Sequence, residues 1–177
     1  MKQGTTSPTL HRKWRVFYTF PRAEKKCEKR LAERRVDVFL PKYESLRQWK
    51  DRKKKVVEPL FRNYIFACVD EPERLDVLQT PGIVRCVSFG GRLAEVNPDE
   101  IEQLKIAQQD PQRLGLVDFQ LPDIGEMVTI TEGPLQGLRG EVIDYGGQLY
   151  LILRVTAIRQ AVRVHVHTSW VRPDPDP

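Results

Sequence analysis

The stretch IGEMVTITEGPLQGLRGEVI, Ile124 to Ile143, holds two strand signals joined by a glycine-punctuated turn. Met127 to Ile130 alternates apolar and polar side chains, the period of a half-buried strand. Gly133-Pro134 breaks that run, and Gly137 and Gly140 mark points where the backbone takes positive φ or approaches another strand closely. Taken alone, the segment is equally an ordinary hairpin of a small β-barrel. Downstream, Leu149, Leu151, Leu153 and Val155 alternate along one strand, and Val162, Val164 and Val166 along the next. Their inward faces would fill a small SH3-like barrel spanning residues 123–173.

Upstream the pattern changes. Trp14 to Thr19 reads as a first strand, with Trp14, Val16 and Tyr18 on one face and Phe17 on the other. Pro21 opens an expected helix through Arg35, in which Ala23, Cys27 and Leu31 form a narrow apolar stripe suited to core packing. Val36 to Leu40 and Asn63 to Val69 read as two more strands, separated by the long polar connection Lys42 to Arg62. Arg74 to Gln79 reads as a short helix stopped by Pro81-Gly82, and Ile83 to Phe89 as a fourth strand ending at Gly90-Gly91. Asn97, Pro98 and Glu100 signal a last helix, to about Gln109, with Glu100 as the reciprocal capping partner of Asn97. The expectation is an α+β chain: a ferredoxin-like βαββαβ domain over residues 12–109, a proline-containing linker over 110–122 and the barrel after it.

Composition bounds the function. A chain of 177 residues with 40% hydrophobic content supports two small domains with modest cores. No apolar run is long enough to span a bilayer, and the polar N-terminus lacks a signal-peptide core, so a cytoplasmic protein with no membrane association is expected. Cys27, Cys68 and Cys86 are odd in number and isolated among apolar neighbours, and read as buried free thiols. His165 and His167 share a strand face with Arg163 but have no third ligand nearby, so neither a metal nor any other cofactor is expected. There is no nucleophile elbow, no paired carboxylate in an apolar setting, no P-loop and no dinucleotide fingerprint, which excludes the usual enzyme classes. Charge is uneven: residues 1–122 carry 24 Lys and Arg against 17 Asp and Glu, a net +7, while the remainder carries 5 against 7, a net −2. The basic half suits nucleic acid, and the mildly acidic half suits a protein partner.

The Ile124–Ile143 segment resembles a KOW motif. Trp14 to Thr19 resembles the WYV-type opening of the NusG family of transcription elongation factors, Phe61-Arg62-Asn63-Tyr64-Ile65-Phe66 its FPGYVFV strand, and Pro81-Gly82-Ile83-Val84-Arg85 its PGV segment. Within the family, Tyr18 to Lys26, Leu46 to Lys54 and Gln79 to Arg85 are similar to the specialised UpxY-type paralogues, operon-specific antiterminators of surface polysaccharide gene clusters. The resemblance implies an N-terminal NGN domain that sits on the clamp helices of RNA polymerase through an apolar cavity, followed by a KOW barrel, in a monomer. Tyr18, Phe61, Tyr64 and Ile83 are the implied polymerase-contact residues; the alternative for Tyr64 and Ile83 is plain core. General elongation activity, or an RNA-binding or ribosome-associated KOW protein, are the competing functions.

Two further sites are expected. Arg47, Lys50, Arg52, Lys53, Lys54 and Lys55 surround Trp49, so the connection is a candidate for upstream or non-template DNA: cations for phosphates, the indole for an unpaired base. The bland alternative is a solvated hairpin tip. In the family, a late hairpin of the barrel helps bind a ribosomal protein or the termination factor Rho, and nascent RNA is a further candidate partner. Here it reads Ala157-Ile158-Arg159-Gln160, without the aromatic and glycine that serve this contact in the family, a departure that bears on Rho binding; Ile158 and Leu135 are the expected partner-binding residues. Refolding into a helical hairpin is disfavoured by the β-branched run Val162 to Val166.

Overall fold

The structure is a computed structural model and describes residues 11–49, 51–117, 119 and 125–174. In chain order the elements are β1 (Lys13–Thr19), α1 (Glu24–Glu33), β2 (Asp37–Phe39), β3 (Lys42–Trp49), β4 (Arg52–Pro59), β5 (Tyr64–Val69), α2 (Glu71–Leu78), β6 (Ile83–Cys86), β7 (Ser88–Phe89), β8 (Arg92–Leu93) and α3 (Pro98–Ala107). The C-terminal half adds β9 (Leu114–Val117), β10 (Met127–Ile130), β11 (Arg139–Tyr145), β12 (Gln148–Val155), β13 (Gln160–His165) and β14 (Val171–Pro173).

In the N-terminal half a four-stranded antiparallel sheet runs β2-β5-β1-β6. The central strand β1 is apolar on both faces because both are covered. Phe17 packs with Cys27 and Leu31 of α1 and Val77 of α2, while Trp14 and Val16 face Ile101, Leu104 and Ala107 of α3. Helix α1 begins later than expected because Arg22 takes φ 64°, a left-handed turn that no helix continues through. Helix α2 begins earlier, since the Asp70 side chain accepts from Glu73 N and the Glu73 side chain from Asp70 N, a complete capping box. The expected single strand Ile83 to Phe89 is split at Val87, and its second part pairs with β8 in a separate hairpin.

The C-terminal sheet has six strands in the order β14-β10-β11-β12-β13-β9. The glycines of the opening motif do two different jobs. Gly133 and Gly137 take φ of 79° and 88°, whereas at Gly140 an added Cβ would lie 2.5 Å from Leu151 Cδ2 and 2.7 Å from Ile152 O, so only glycine lets β11 approach β12. The expected linker is partly structured: Leu114–Val117 pairs with β13, from Val164↔Leu114 to Ala161↔Val117, and Leu114 is buried. Ahead of it Pro111–Arg113 forms a 3-10 turn, and residues 118 and 120–124 lie outside the described residues.

The two halves share one apolar core. It runs from Trp14, Val16 and Phe66 through Ile101, Leu104 and Ala107 of α3 into Val128, Leu135, Leu151 and Val164. Polar contacts follow the same seam: Arg139 N donates to Gln103 Oε1 (2.6 Å), and Thr156 Oγ1 donates to Glu100 Oε1 (2.9 Å). Glu100 is therefore not the helix-capping partner expected of it. Asn97 caps α3 by accepting from Asp99 N, which frees Glu100 to face Thr156.

Candidate nucleic-acid and protein interfaces

Strands β3 and β4 form a hairpin outside the main sheets, in register from Lys42↔Pro59 to Trp49↔Arg52. Directly opposed residues share a face. One face therefore carries Trp49, Arg52, Arg47 and Lys54, and the other carries Lys53, Leu46 and Lys55. Trp49 is 63% exposed and Leu46 66%, so neither serves a core. Of the basic residues singled out in the sequence, Arg47 is paired with Glu58 and Lys55 with Glu44. The Arg47 hydrogen bond holds the Glu58 carboxyl below the usual carboxylate range, and the Glu44 hydrogen bond raises the Lys55 ammonium. Arg52, Lys53 and Lys54 are exposed and have no acidic partner among the described residues. Lys50 lies outside the described residues. The surface that remains is a cationic tip around an exposed indole, the combination that holds phosphate and stacks a base.

The four residues expected to meet a protein partner divide. Tyr18 and Tyr64 are opposed across β1 and β5, half-buried, with ring centroids 5.5 Å apart at 74°. The Arg85 guanidinium stands 5.6 Å from the Tyr18 ring centroid. Phe61, by contrast, is fully buried, edge-on to Phe66 at 6.1 Å, and Ile83 is 8% exposed beneath α1. Both are core residues: Phe61 follows Leu60 into the core before the Asn63 turn, and Ile83 joins the face of β6 that packs on Phe17. The sequence reading missed Phe20, 60% exposed just beyond β1, and Phe89, 59% exposed on β7. Both lie at strand ends, where alternation does not reveal exposure.

In the C-terminal half Leu135 and Ile158, expected at a partner-binding surface, are 0% and 7% exposed. They belong to the core shared with α3, and the adjoining Gly137 turn faces Ile106 of that helix. Arg159 follows with φ 51°, the left-handed conformation a glycine adopts without strain. His165 does not pair with His167. Its ring lies 5.5 Å from Tyr150, and Arg113 Nη1 donates to its carbonyl at 3.3 Å. His167 Nδ1 contacts Ser169 instead. Cys27 and Cys86 are buried and Cys68 is half-buried, and burial pushes all three thiols up, away from the reactive thiolate.

With this geometry the chain was compared with known proteins. Residues 12–105, more than half of the chain, match the family model NusG, described as transcription termination factor nusG. The chain belongs to the NusG family. Its structure is similar to one described as domain interaction in Thermotoga maritima NusG, at 22% identity and a TM-score of 0.51, covering 92% of this chain and 97% of that one. That likeness is one of fold. A chain of the MjSpt4:Spt5 complex, conformation A, aligns at 17% identity and a TM-score of 0.31 over 91% of this chain and 97% of its own. As a member of the NusG family the protein is a transcription factor by homology. Among its described residues no helix is long and apolar enough to cross a membrane.

Proposed function

We propose that this NusG-family protein is an elongation and antitermination factor that docks on RNA polymerase through its N-terminal half and holds nucleic acid with the β3–β4 hairpin. In this reading the β2-β5-β1-β6 sheet with its helices is a ferredoxin-like NGN unit, and the six-stranded sheet is an SH3-like KOW barrel that draws β9 in from the connecting stretch. The observation that carries the proposal is the hairpin tip, where an exposed Trp49 stands among exposed Arg52, Lys53 and Lys54, which have no acidic partner among the described residues. Tyr18 and Tyr64 form the apolar contact for the polymerase clamp helices: two rings that are half-exposed, rigidly opposed and flanked by Arg85. The non-template or upstream DNA strand is the hairpin's partner. The UpxY-like segments favour service to a specific operon, such as a polysaccharide cluster, over a general role. The barrel's partner surface differs from the housekeeping one, because Leu135 and Ile158 are turned inward against α3.

The test is capture of RNA polymerase by the full chain, followed by run-off transcription across a terminator. The full chain is required because α3 and the barrel share a core. Tyr64→Glu should abolish capture, with circular dichroism unchanged. Trp49→Ala should leave capture intact and lower read-through. Undiminished capture by Tyr64→Glu would remove the tyrosine pair from the interface, and read-through unaffected by Trp49→Ala would remove the hairpin.

A further inference from the structure

The hairpin face that carries Leu46 and Lys55 is solvent-exposed and also borders the C-terminal sheet. It forms one wall of a cavity of about 640 Å³ whose other wall is Arg113 and the face of the C-terminal sheet across β9, β13 and β12, with Gly115, Arg163, His165 and Tyr150. Its lining is unbalanced in charge, with Lys55, Arg113 and Arg163 against the single carboxylate Glu44. Two of these cations are engaged, Lys55 with Glu44 and Arg113 with Asp110. Arg163 is exposed and has no carboxylate partner among the described residues; its guanidinium stands 5.1 Å from the Tyr150 ring centroid. Space is kept for it by Gly115, its register partner on β9, where an added Cβ would lie 3.2 Å from Arg163 Nε. Tyr150 is itself held in place, opposite His165 across β12 and β13, with its hydroxyl donating to Gln148 Oε1 at 2.6 Å.

We propose that this cleft is a second nucleic-acid subsite, on the barrel, that receives the single-stranded DNA leaving the hairpin: a phosphate on Arg163 and Lys55, and a base on the Tyr150 ring. The proposal rests on the nucleic-acid reading of the hairpin and adds the barrel to it. Charge complementarity selects a polyanion, and the ring beside an unpaired guanidinium selects one with unstacked bases. Continuity selects the DNA strand. Lys53 and Lys55 lie on one hairpin face about 7 Å apart, so a backbone tracking the tip passes directly to the cleft. The mildly acidic net charge of residues 123–177 argues against phosphate contacts only on average, since the cleft sets its Arg163 beside Lys55 and Arg113 of the basic part of the chain.

The measurement is fluorescence anisotropy of the full chain with a labelled oligodeoxythymidylate about twelve nucleotides long, within the usual range of single-strand sites. Tyr150→Ala should weaken binding about tenfold, the scale of one lost base stack, and Tyr150→Phe should retain it. Arg163→Ala, at an exposed position that tolerates change, should weaken binding and lower the logarithmic salt slope by about one. Unchanged affinity and slope in Tyr150→Ala and Arg163→Ala, with loss in Trp49→Ala, would overturn the cleft and leave the hairpin standing. No loss in any of the three would overturn both. An oligouridylate that binds more tightly than the DNA and is equally sensitive to Tyr150→Ala would overturn the assignment of DNA as occupant.

Discussion

At Gly82 the backbone takes φ +106°, and a Cβ built there would lie 2.6 Å from Cys27 Sγ of α1. The Pro81 carbonyl beside it accepts from Arg30 Nη1 at 2.5 Å, and the Gly82 carbonyl accepts from Phe20 N at 3.0 Å. This turn thus ties α1 to the end of β1 and has no freedom to shift. Gly82→Ala should lower stability by about 3 kcal/mol, combining strain at a positive φ with overpacking against a buried thiol. A urea titration checks it: the midpoint should fall while the slope is unchanged. An unaltered midpoint would mean that Cys27 moves aside freely. The Pro-Gly pair was legible in the sequence as a helix stop. Its contact with a residue more than fifty positions earlier was not, because nothing local encodes which helix will lie above a turn.

Among the elements, α2 shows a helix fixed by its first turn. Its capping box joins Asp70 and Glu73, and Arg12, the residue just ahead of β1, donates to the same Glu73 carboxylate. That hydrogen bond holds the Glu73 carboxyl below its ordinary value of 4.5. A carboxyl depressed in the folded state adds stability that is fully present above the unfolded value and lost as pH falls through the folded one. Glu73→Gln keeps a capping acceptor but loses the ion pair, so it should melt below the wild type at pH 7. The gap in Tm should narrow as pH falls below 4.5 and close as the folded Glu73 carboxyl is protonated. A gap that does not narrow as pH falls below 4.5 would assign the role to packing instead. The element-scale reading failed most clearly at β9. Leu114–Val117 is short, contains Gly115 and sits between Pro111 and Pro122, so it shows no period of two; its strand character comes from β13, far along the chain. The β3–β4 hairpin was legible as charge and a tryptophan. Its two faces, one turned to solvent around Trp49 and one to the cleft, depend on a register that composition does not carry.

For the molecule as a whole, the sequence divides more cleanly than the structure does. Charge, period and the proline-containing connection all mark two halves, yet one apolar core runs from Trp14 through Leu104 to Leu151. The helix responsible, α3, was legible from its Asn97-Pro98 start, but not its second face. Ile106 approaches the Gly137 turn, and Gln103 and Glu100 bond Arg139 and Thr156. A helix sandwiched between two sheets shows no clean apolar stripe, since both of its sides are partly covered. The same burial removes Leu135 and Ile158 from the surface on which sequence reasoning had placed them. A shared core couples the stability of its parts, so calorimetry should show a single transition whose calorimetric and van't Hoff enthalpies agree. Ile106→Asp sets a carboxylate in the seam without touching either sheet's own strands, at a cost of several kcal/mol if it stays there. The less costly outcome is separation: the seam hydrates, each half retains its own sheet, and the single transition resolves into two. Two transitions already present in the wild type would show that the seam contributes little and that the halves fold independently.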